Sequence, residues 1–446
     1  MKTLSELLEN TPVEAIWCDP QVAVGSLVYD SRAAAAGCCF FAVPGTQCDG
    51  HAFIGAAITA GAAAVVCERL PEERPAGVTF VVVKDSQGAM ADMAAAFYDH
   101  PSRELKLVGI TGTNGTTTPV TLLFDLVRAK GYRAGRISTV VYRIEERTLP
   151  ATHTTPDSIR LNALMREMAD AGCEFCFMEC SSHAIVQERT RGLDFAGGIF
   201  SNITHDHLDY HKTFAEYIRA KKLFFDHLPK GAFALTNTDD RNGRVMVQNT
   251  RAEVHTYSLR AMADFRCRIV EMHLDGMLLR LDGRELWVGL LGRFNAYNLT
   301  AVYGAAVLLG LDRDEVLRVL STLHAVSGRF EVIRASNGTT AVVDYAHTPD
   351  ALENVIQTID ELRTPQQQLL VVCGCGGDRD RTKRPEMAQI AVKYATTAIF
   401  TSDNPRHEDP EAILDEMVAG LEPGARYLRL ADRAEAIRTA VVLARP

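Results

Sequence analysis

The chain has 446 residues, 47% of them hydrophobic and 23% charged, an ordinary globular composition with length for about three domains. A net charge of −9 without any basic cluster excludes a nucleic-acid binder. No apolar run approaches the ~18 residues of a membrane span, and the N-terminal MKTLSELLENTP lacks the apolar core of a secretion signal, so a cytoplasmic protein is expected.

Apolar strand-like runs alternate with helical stretches nearly throughout, which predicts an α/β fold with largely parallel sheets and ligands at the C-terminal ends of the strands. A first domain, residues 1–100, contains VVC and VTFVVV and closes with the helical ADMAAAFYDH before Pro101-Ser102. A second, residues 101–326, contains KLVGI, FCFME, GGIFSNI and AFALTN. Its stretch 252–290 reads as β-rich and antiparallel, with Asp-Gly turns at 275–276 and 282–283. A third opens near Ser327-Gly328-Arg329, covers residues 327–446 and contains LLVVCGC and TAIFTSD. Eleven cysteines are scattered, several inside apolar runs, as reduced buried thiols would be. The pair Cys173 and Cys176 forms a CxxC with no second CxxC at zinc-finger distance, and Cys373 with Cys375 only a CxC.

Residues 109–118, GITGTNGTTT, follow an apolar run and precede a helical pattern, the context of a phosphate-binding loop. Gly112 and Gly115 let the backbone turn and aim N–H groups at a phosphate, and the helix N-terminus adds positive potential. Thr116 stands where such a loop normally carries a lysine. Glu179 ends an apolar strand, a placement suited to holding Mg²⁺ or to a merely solvated carboxylate. Residues 201–211, SNITHDHLDYH, pack three histidines and two aspartates together. The spacing of His205, His207 and His211 fits no standard zinc tetrahedron, so a single histidine beside a carboxylate at a hard-metal site is preferred. In the helical YIRAKKLFF, Lys221 and Lys222 point about 100° apart, so at most one faces inward, and an inward lysine must be neutralised or paired. GRFNAYN opens a long apolar helix, DYAHTP follows a strand, GCGGDRDRTKR is a second glycine-rich strand-end loop rich in cations, and DNPR follows another strand.

These segments, together with Asp30-Ser31-Arg32, MECSSH, AKKLF, GRFEV and VDYAHTPDALENV, resemble the Mur ligase family in order along essentially the whole chain. The resemblance implies a three-domain architecture, with a central P-loop parallel-sheet domain and a Rossmann-like C-terminal domain. It implies ATP-dependent ligation of meso-diaminopimelate to UDP-N-acetylmuramoyl-L-alanyl-D-glutamate through an acyl phosphate, by a monomer that uses Mg²⁺. Ser31, Thr46, Gln47 and Cys48 would hold the uridine diphosphate end. Gly112, Thr113, Asn114, Gly115, Thr116, Thr117 and Thr118 would bind ATP, completed by Asn295, Arg329 and Asp344. Thr154, Thr155, Ser181, Gln187 and Arg189 would contact the muramyl-dipeptide, with His153 standing where the family commonly has Asn. Lys221 matches the lysine that becomes a carbamate; Lys221, Glu179 and His207 would be catalytic and, with Thr117, would hold the metal. Arg379 with Asp403, Asn404, Pro405 and Arg406 would receive the amino acid, since an arginine fork can bind the distal carboxylate that diaminopimelate has and lysine lacks.

Two departures stand out. Thr116 removes a positive charge from the phosphate loop, with Pro119 following in the first turn of the helix, where it is tolerated. The family's last domain also continues into a further strand and a Gly-Lys-Gly-His-Glu loop that residues up to 446 do not contain, so an incomplete third domain is expected. The alternative reading is an impaired relative that binds UDP-muramyl-dipeptide in a non-catalytic or regulatory role. A folate-polyglutamylating relative fits less well, because of DNPR and the uridine-type N-terminal domain.

Overall fold

The computed structural model describes every residue except Thr46, Gln47, His205, His207 and Pro446, and leaves the side chains of Leu208 and Asp209 aside. Among the described residues three larger sheets follow one another along the chain, beside two two-stranded ones. The first has the order Ala15–Trp17, Thr79–Val82, Ala64–Cys67, Cys38–Phe41, Ser26–Val28, parallel apart from its first pair. Its fully buried runs CCFF and AVVC are the continuous apolar strands expected of a parallel sheet covered on both faces.

The second sheet has eleven strands, and its parallel centre sets up the site. Lys106–Thr111 lies in the middle, flanked by Phe175–Glu179 on one side and Phe195–Phe200 on the other. The chain leaves Lys106–Thr111 toward one side and later returns on the other, so the crevice at the carboxyl ends of these three strands is a switch point of the topology, where α/β sheets bind ligands. Register brings Glu179 beside Ile110, and Phe200 beside Thr111. Helix Thr117–Ala129 covers the sheet with Val120, Leu122, Leu123, Phe124, Leu126 and Val127, all without exposed surface. Each such side chain contributes about 1.5–3 kcal/mol of burial, so the loop before this helix is anchored at both ends.

The stretch expected to be antiparallel throughout is so only from residue 265 onward. Phe265–His273, Gly276–Leu281 and Arg284–Val288 form an antiparallel meander. Glu253–Ser258 instead pairs parallel with Phe233–Asn237, because the chain crosses over through helix Gly243–Met246 before it. The final sheet is parallel, with Leu370–Cys373, Thr397–Phe400 and Tyr427–Arg429 in order. No helix among the described residues is long and apolar enough to cross a membrane.

Candidate active site

The phosphate loop folds over the end of its strand and is sewn to the next loop. The Thr113 N–H donates to the Asn202 carbonyl at 2.9 Å, the Asn114 N–H to Asn202 Oδ1 at 3.0 Å, and Ser201 Oγ to the Asn114 carbonyl at 2.7 Å. Gly112 lies so close that a Cβ there would sit 1.8 Å from Ser201 Oγ. Gly115 has φ +68°, and a Cβ there would meet Asn298 Oδ1 at 2.7 Å; only glycine fits both constraints. The loop is also reached from the third part of the chain: Asn114 Nδ2 donates to Asp350 Oδ2 at 2.9 Å, and Arg329 Nη2 donates to Thr117 Oγ1 at 3.0 Å.

Glu179 is the centre of the next shell of contacts. It is 3% exposed. Thr116 Oγ1 donates to its Oε2 at 2.6 Å; Thr117 Oγ1, the Thr139 N–H and Thr139 Oγ1 donate to its Oε1 at 3.0, 2.8 and 3.1 Å. Thr116 therefore spends its hydroxyl on the carboxylate. Below the loop, Lys221 is 2% exposed and donates to the Gly112 carbonyl at 2.7 Å and to Thr111 Oγ1 at 3.4 Å, with its ammonium 4.9 Å from the centre of the Tyr217 ring. Burial pulls its pKa from an ordinary 10.5 down to about 7, against the opposing pull of Asp206, Cys180 and Glu179. Its neighbour Lys222 pairs with Asp226 at 2.6 Å instead.

A second polar cluster adjoins Glu179 on its other side. Thr155 Oγ1 donates to the Glu179 carbonyl at 2.7 Å and accepts the Ser181 N–H at 3.1 Å, while Thr154 and Thr139 hydroxyls meet at 3.1 Å. Arg189 donates to the Thr155 carbonyl at 2.7 Å and to Gln187 Oε1 at 2.6 Å. His153 is exposed, and its backbone N–H and carbonyl both pair with the Tyr142 hydroxyl. Ser31 lies in the turn Ser31–Ala33, capped by Asp30, which accepts the Arg32 N–H at 3.0 Å. Cys48 is exposed; Thr46, Gln47 and His207 lie outside the described residues.

The remaining candidates divide. Asn298, rather than Asn295, lies against Gly115; Asn295 receives the Asn298 amide at 3.1 Å and ties the helix start to the Leu291 carbonyl at 2.8 Å. Asp344 accepts the Phe330 N–H at 2.7 Å, its carboxyl pushed up by burial, and Tyr345 carries the Arg329 guanidinium 4.6 Å above its ring. Arg379 and Arg406 sit on two adjacent strand-end loops. Arg406 donates to the Gly377 carbonyl, the Asn404 carbonyl accepts the Gly377 N–H at 2.9 Å, the Pro405 carbonyl accepts the Glu408 N–H at 2.9 Å, and Asp403 lies 3.8 Å from Arg433.

Models for three parts of one family match the chain: residues 24–98 (Mur ligase family, catalytic domain), 110–306 (Mur ligase middle domain) and 328–446 (Mur ligase, glutamate ligase domain). The chain belongs to the Mur ligase family. It is 53% identical to the UDP-N-acetylmuramoyl-L-alanyl-D-glutamate--2,6-diaminopimelate ligase of Bacteroides thetaiotaomicron, over 99% of this chain and 92% of that one. The ligase of the same name from Cytophaga hutchinsonii is 55% identical over 99% and 91%. A solved structure of a ligase of that name superposes with a TM-score of 0.72 at 32% identity, covering 100% of this chain and 92% of the other. This Mur ligase thus has a three-part α/β architecture with a phosphate-loop sheet at its centre.

Reading the Mur ligase motifs for histidine and lysine missed three groups. Asn202 holds the phosphate loop through both its backbone and its side chain, yet SNITHDH drew the eye to histidines. Thr139 donates twice to Glu179, but the strand just before it, AGRI, carries an arginine that broke the apolar signal. Glu408, described below, had no signal at all.

Proposed function

We propose that this Mur ligase is an ATP-dependent amide-forming enzyme that joins meso-diaminopimelate to UDP-N-acetylmuramoyl-L-alanyl-D-glutamate in peptidoglycan synthesis. The observation that carries it is the single hydrogen-bonded network in which phosphate loop, Glu179 and Arg329 meet above the buried Lys221, in a chain 53% identical to a ligase of that name. Nothing in the comparisons favours the impaired alternative.

The D-glutamyl γ-carboxylate attacks the γ-phosphorus of ATP; a P–O bond forms, the bond to ADP breaks, and an acyl phosphate results. The amine of diaminopimelate then attacks the acyl carbon, the C–O bond to phosphate breaks, and the nitrogen loses a proton. Phosphoryl transfer of this kind needs positioning and charge neutralisation rather than covalent help. The loop N–H groups from Gly115 onward, which Asn202 does not occupy, and the N-terminus of helix Thr117–Ala129 would cradle the phosphates, and Arg329 brings a guanidinium to the same place. The cluster of Thr155, Ser181, Gln187 and Arg189 lies beside Glu179 and is suited to orient the dipeptide arm.

The donors suit a hard cation. Glu179 is buried with both oxygens surrounded by hydroxyl and amide donors, and Thr117 adds a hydroxyl oxygen, the oxygen chemistry Mg²⁺ prefers. Thr117, Glu179, His207 and a carbamylated Lys221 would hold it. Bound there, Mg²⁺ would offset negative charge on the transferring phosphoryl oxygens. With its pKa near 7, Lys221 has neutral amine available near neutral pH, the form that adds to CO₂ with loss of one proton. Protein equilibrated with ¹³C-bicarbonate should show one carbamate carbon resonance that Lys221→Arg removes.

Diaminopimelate incorporation into UDP-muramyl-dipeptide, followed with radiolabel, tests the reading, with calorimetry of UDP-muramyl-dipeptide binding alongside. Folded protein that shows neither heat nor product is not this ligase.

A further inference from the structure

The loops carrying Arg379 and Arg406 leave neighbouring parallel strands, Leu370–Cys373 and Thr397–Phe400. A side-chain clamp joins them beyond the ladder. Arg384, at the start of helix Lys383–Tyr394, has no exposed side-chain surface. Its guanidinium grips Glu408 with both prongs, Nη1 to Oε2 at 3.0 Å and Nη2 to Oε1 at 2.8 Å, donates to Glu416 Oε2 at 2.7 Å and reaches the Gly376 carbonyl at 3.3 Å. Glu408 Oε1 also accepts the Asp378 N–H at 2.6 Å, and Arg381 donates to its Oε2 at 2.9 Å. One carboxylate on the second loop therefore holds the main chain of the first, and the cation that pins this carboxylate holds the first loop again two residues earlier.

The backbones are pressed together around this clamp. A Cβ at Gly377 would lie 1.9 Å from the Pro405 carbonyl, and one at Gly376 would lie 2.9 Å from Arg406 Nη1. Asp378 and Arg406 both adopt φ 50°, a left-handed conformation that non-glycine residues keep only when their surroundings over-determine it. The arginine that would read the distal carboxylate is thus itself held in a strained turn, and the clamp is what holds the turn.

We propose that Glu408, pinned by Arg384, is a positioning residue of the amino-acid pocket: it fixes residues 376–380 against residues 403–408 and so sets the spacing of Arg379 and Arg406. The inference rests on the functional reading above and deepens it. Bidentate recognition of a carboxylate tolerates little displacement of the fork, so loosening the clamp weakens the amino acid and leaves the other two substrates alone.

Steady-state kinetics of wild type, Glu408→Gln and Glu416→Gln, with meso-diaminopimelate, ATP and UDP-muramyl-dipeptide each varied and L-lysine as competitor, test it. Glu408→Gln should raise KM for diaminopimelate at least tenfold and shrink the preference over lysine similarly. Its kcat should stay within threefold, and KM for the other substrates within twofold. Glu416 touches Arg384 and Arg381 but neither loop's backbone, so Glu416→Gln should move KM for diaminopimelate less than twofold. Should Glu408→Gln not fold, Glu408→Asp, which keeps the charge but is a methylene too short to span both partners, should give the same split. Unchanged KM for diaminopimelate in these variants, or equal losses for all three substrates, overturns the proposal. A folded wild type that ligates no diaminopimelate overturns the functional reading itself, and with it the pocket Glu408 would serve.

Discussion

At the end of strand Lys106–Thr111 the phosphate loop is held by threonine hydroxyls, asparagine amides and one buried lysine, whereas the loops after Leu370–Cys373 and Thr397–Phe400 are held by arginine–glutamate pairs. The first set is largely neutral and closed off: Thr117, Thr118, Glu179 and Lys221 are all buried. The second lies nearer solvent, with Arg379, Asp403 and Arg406 exposed around the fully covered Arg384. On the proposed function the two regions bind different things. A triphosphate needs many fixed donors in a dry site, where each counts for more than in water. An amino acid that must enter and leave from solvent needs a few charged prongs at a fixed spacing. The difference predicts that damage at the first region falls on turnover, and damage at the second on KM for one substrate.

The strongest way to break that contrast is Lys221→Ala. It removes the amine that would carry the carbamate and the anchor of the Gly112 carbonyl, and should lower ligation by at least about 10³-fold with KM for diaminopimelate little changed. Activity within tenfold of wild type would take Lys221 out of the chemistry. Next, Thr116→Lys should raise kcat by about 10²–10³-fold, since a preorganised donor at the migrating phosphoryl group is worth ~3–4 kcal/mol. An unchanged kcat would mean that Arg329, which already reaches Thr117, supplies the charge, and Arg329→Ala would then show the loss.

In the other region, Arg406→Lys keeps the charge and removes the fork. Losing one charge-assisted hydrogen bond of ~1.5–3 kcal/mol should raise KM for diaminopimelate about tenfold or more, with kcat unaffected. The smallest effect concerns pH. Hydrogen bonds from Arg384 and then from the Asp378 N–H pull the Glu408 carboxyl from an ordinary 4.5 to about 2. The folded value is the lower, so the unfolded chain binds more protons in this window and stability rises with pH there. The contribution is complete above about 4.5 and lost on acidification to about 2. The thermal midpoints of wild type and Glu408→Gln should therefore differ at neutral pH and converge between those values; a constant gap down to pH 2 would detach Glu408's charge from the clamp.

Much of this was legible from residue patterns. The parallel strands announced themselves as apolar runs because both faces are buried, and the motif at each strand end marked the crevice. Phe233–Asn237 and Phe175–Glu179 were visible for that reason, while AGRI was not, since Arg136 interrupts it. The misjudged pairing of Glu253–Ser258 has the same origin: alternation reports which face is buried, not which neighbour runs in which direction.

The lysine pair shows where the chain alone stops. Helical spacing decided that Lys221 and Lys222 cannot both point inward without saying which; the family resemblance picked Lys221, and its packing against Tyr217 and Gly112 is the physical reason that it is the inward one. The absence of charge at position 116 is likewise fixed by the sequence. That the threonine hydroxyl turns to Glu179, that Arg329 arrives from more than two hundred positions away, and that Glu408 closes on a loop thirty residues earlier are tertiary facts. Local spacing governs periodicity and turns, because those depend on neighbours in the chain; hydrogen-bond partners across a crevice depend on how separate strands end side by side, and no local pattern encodes that.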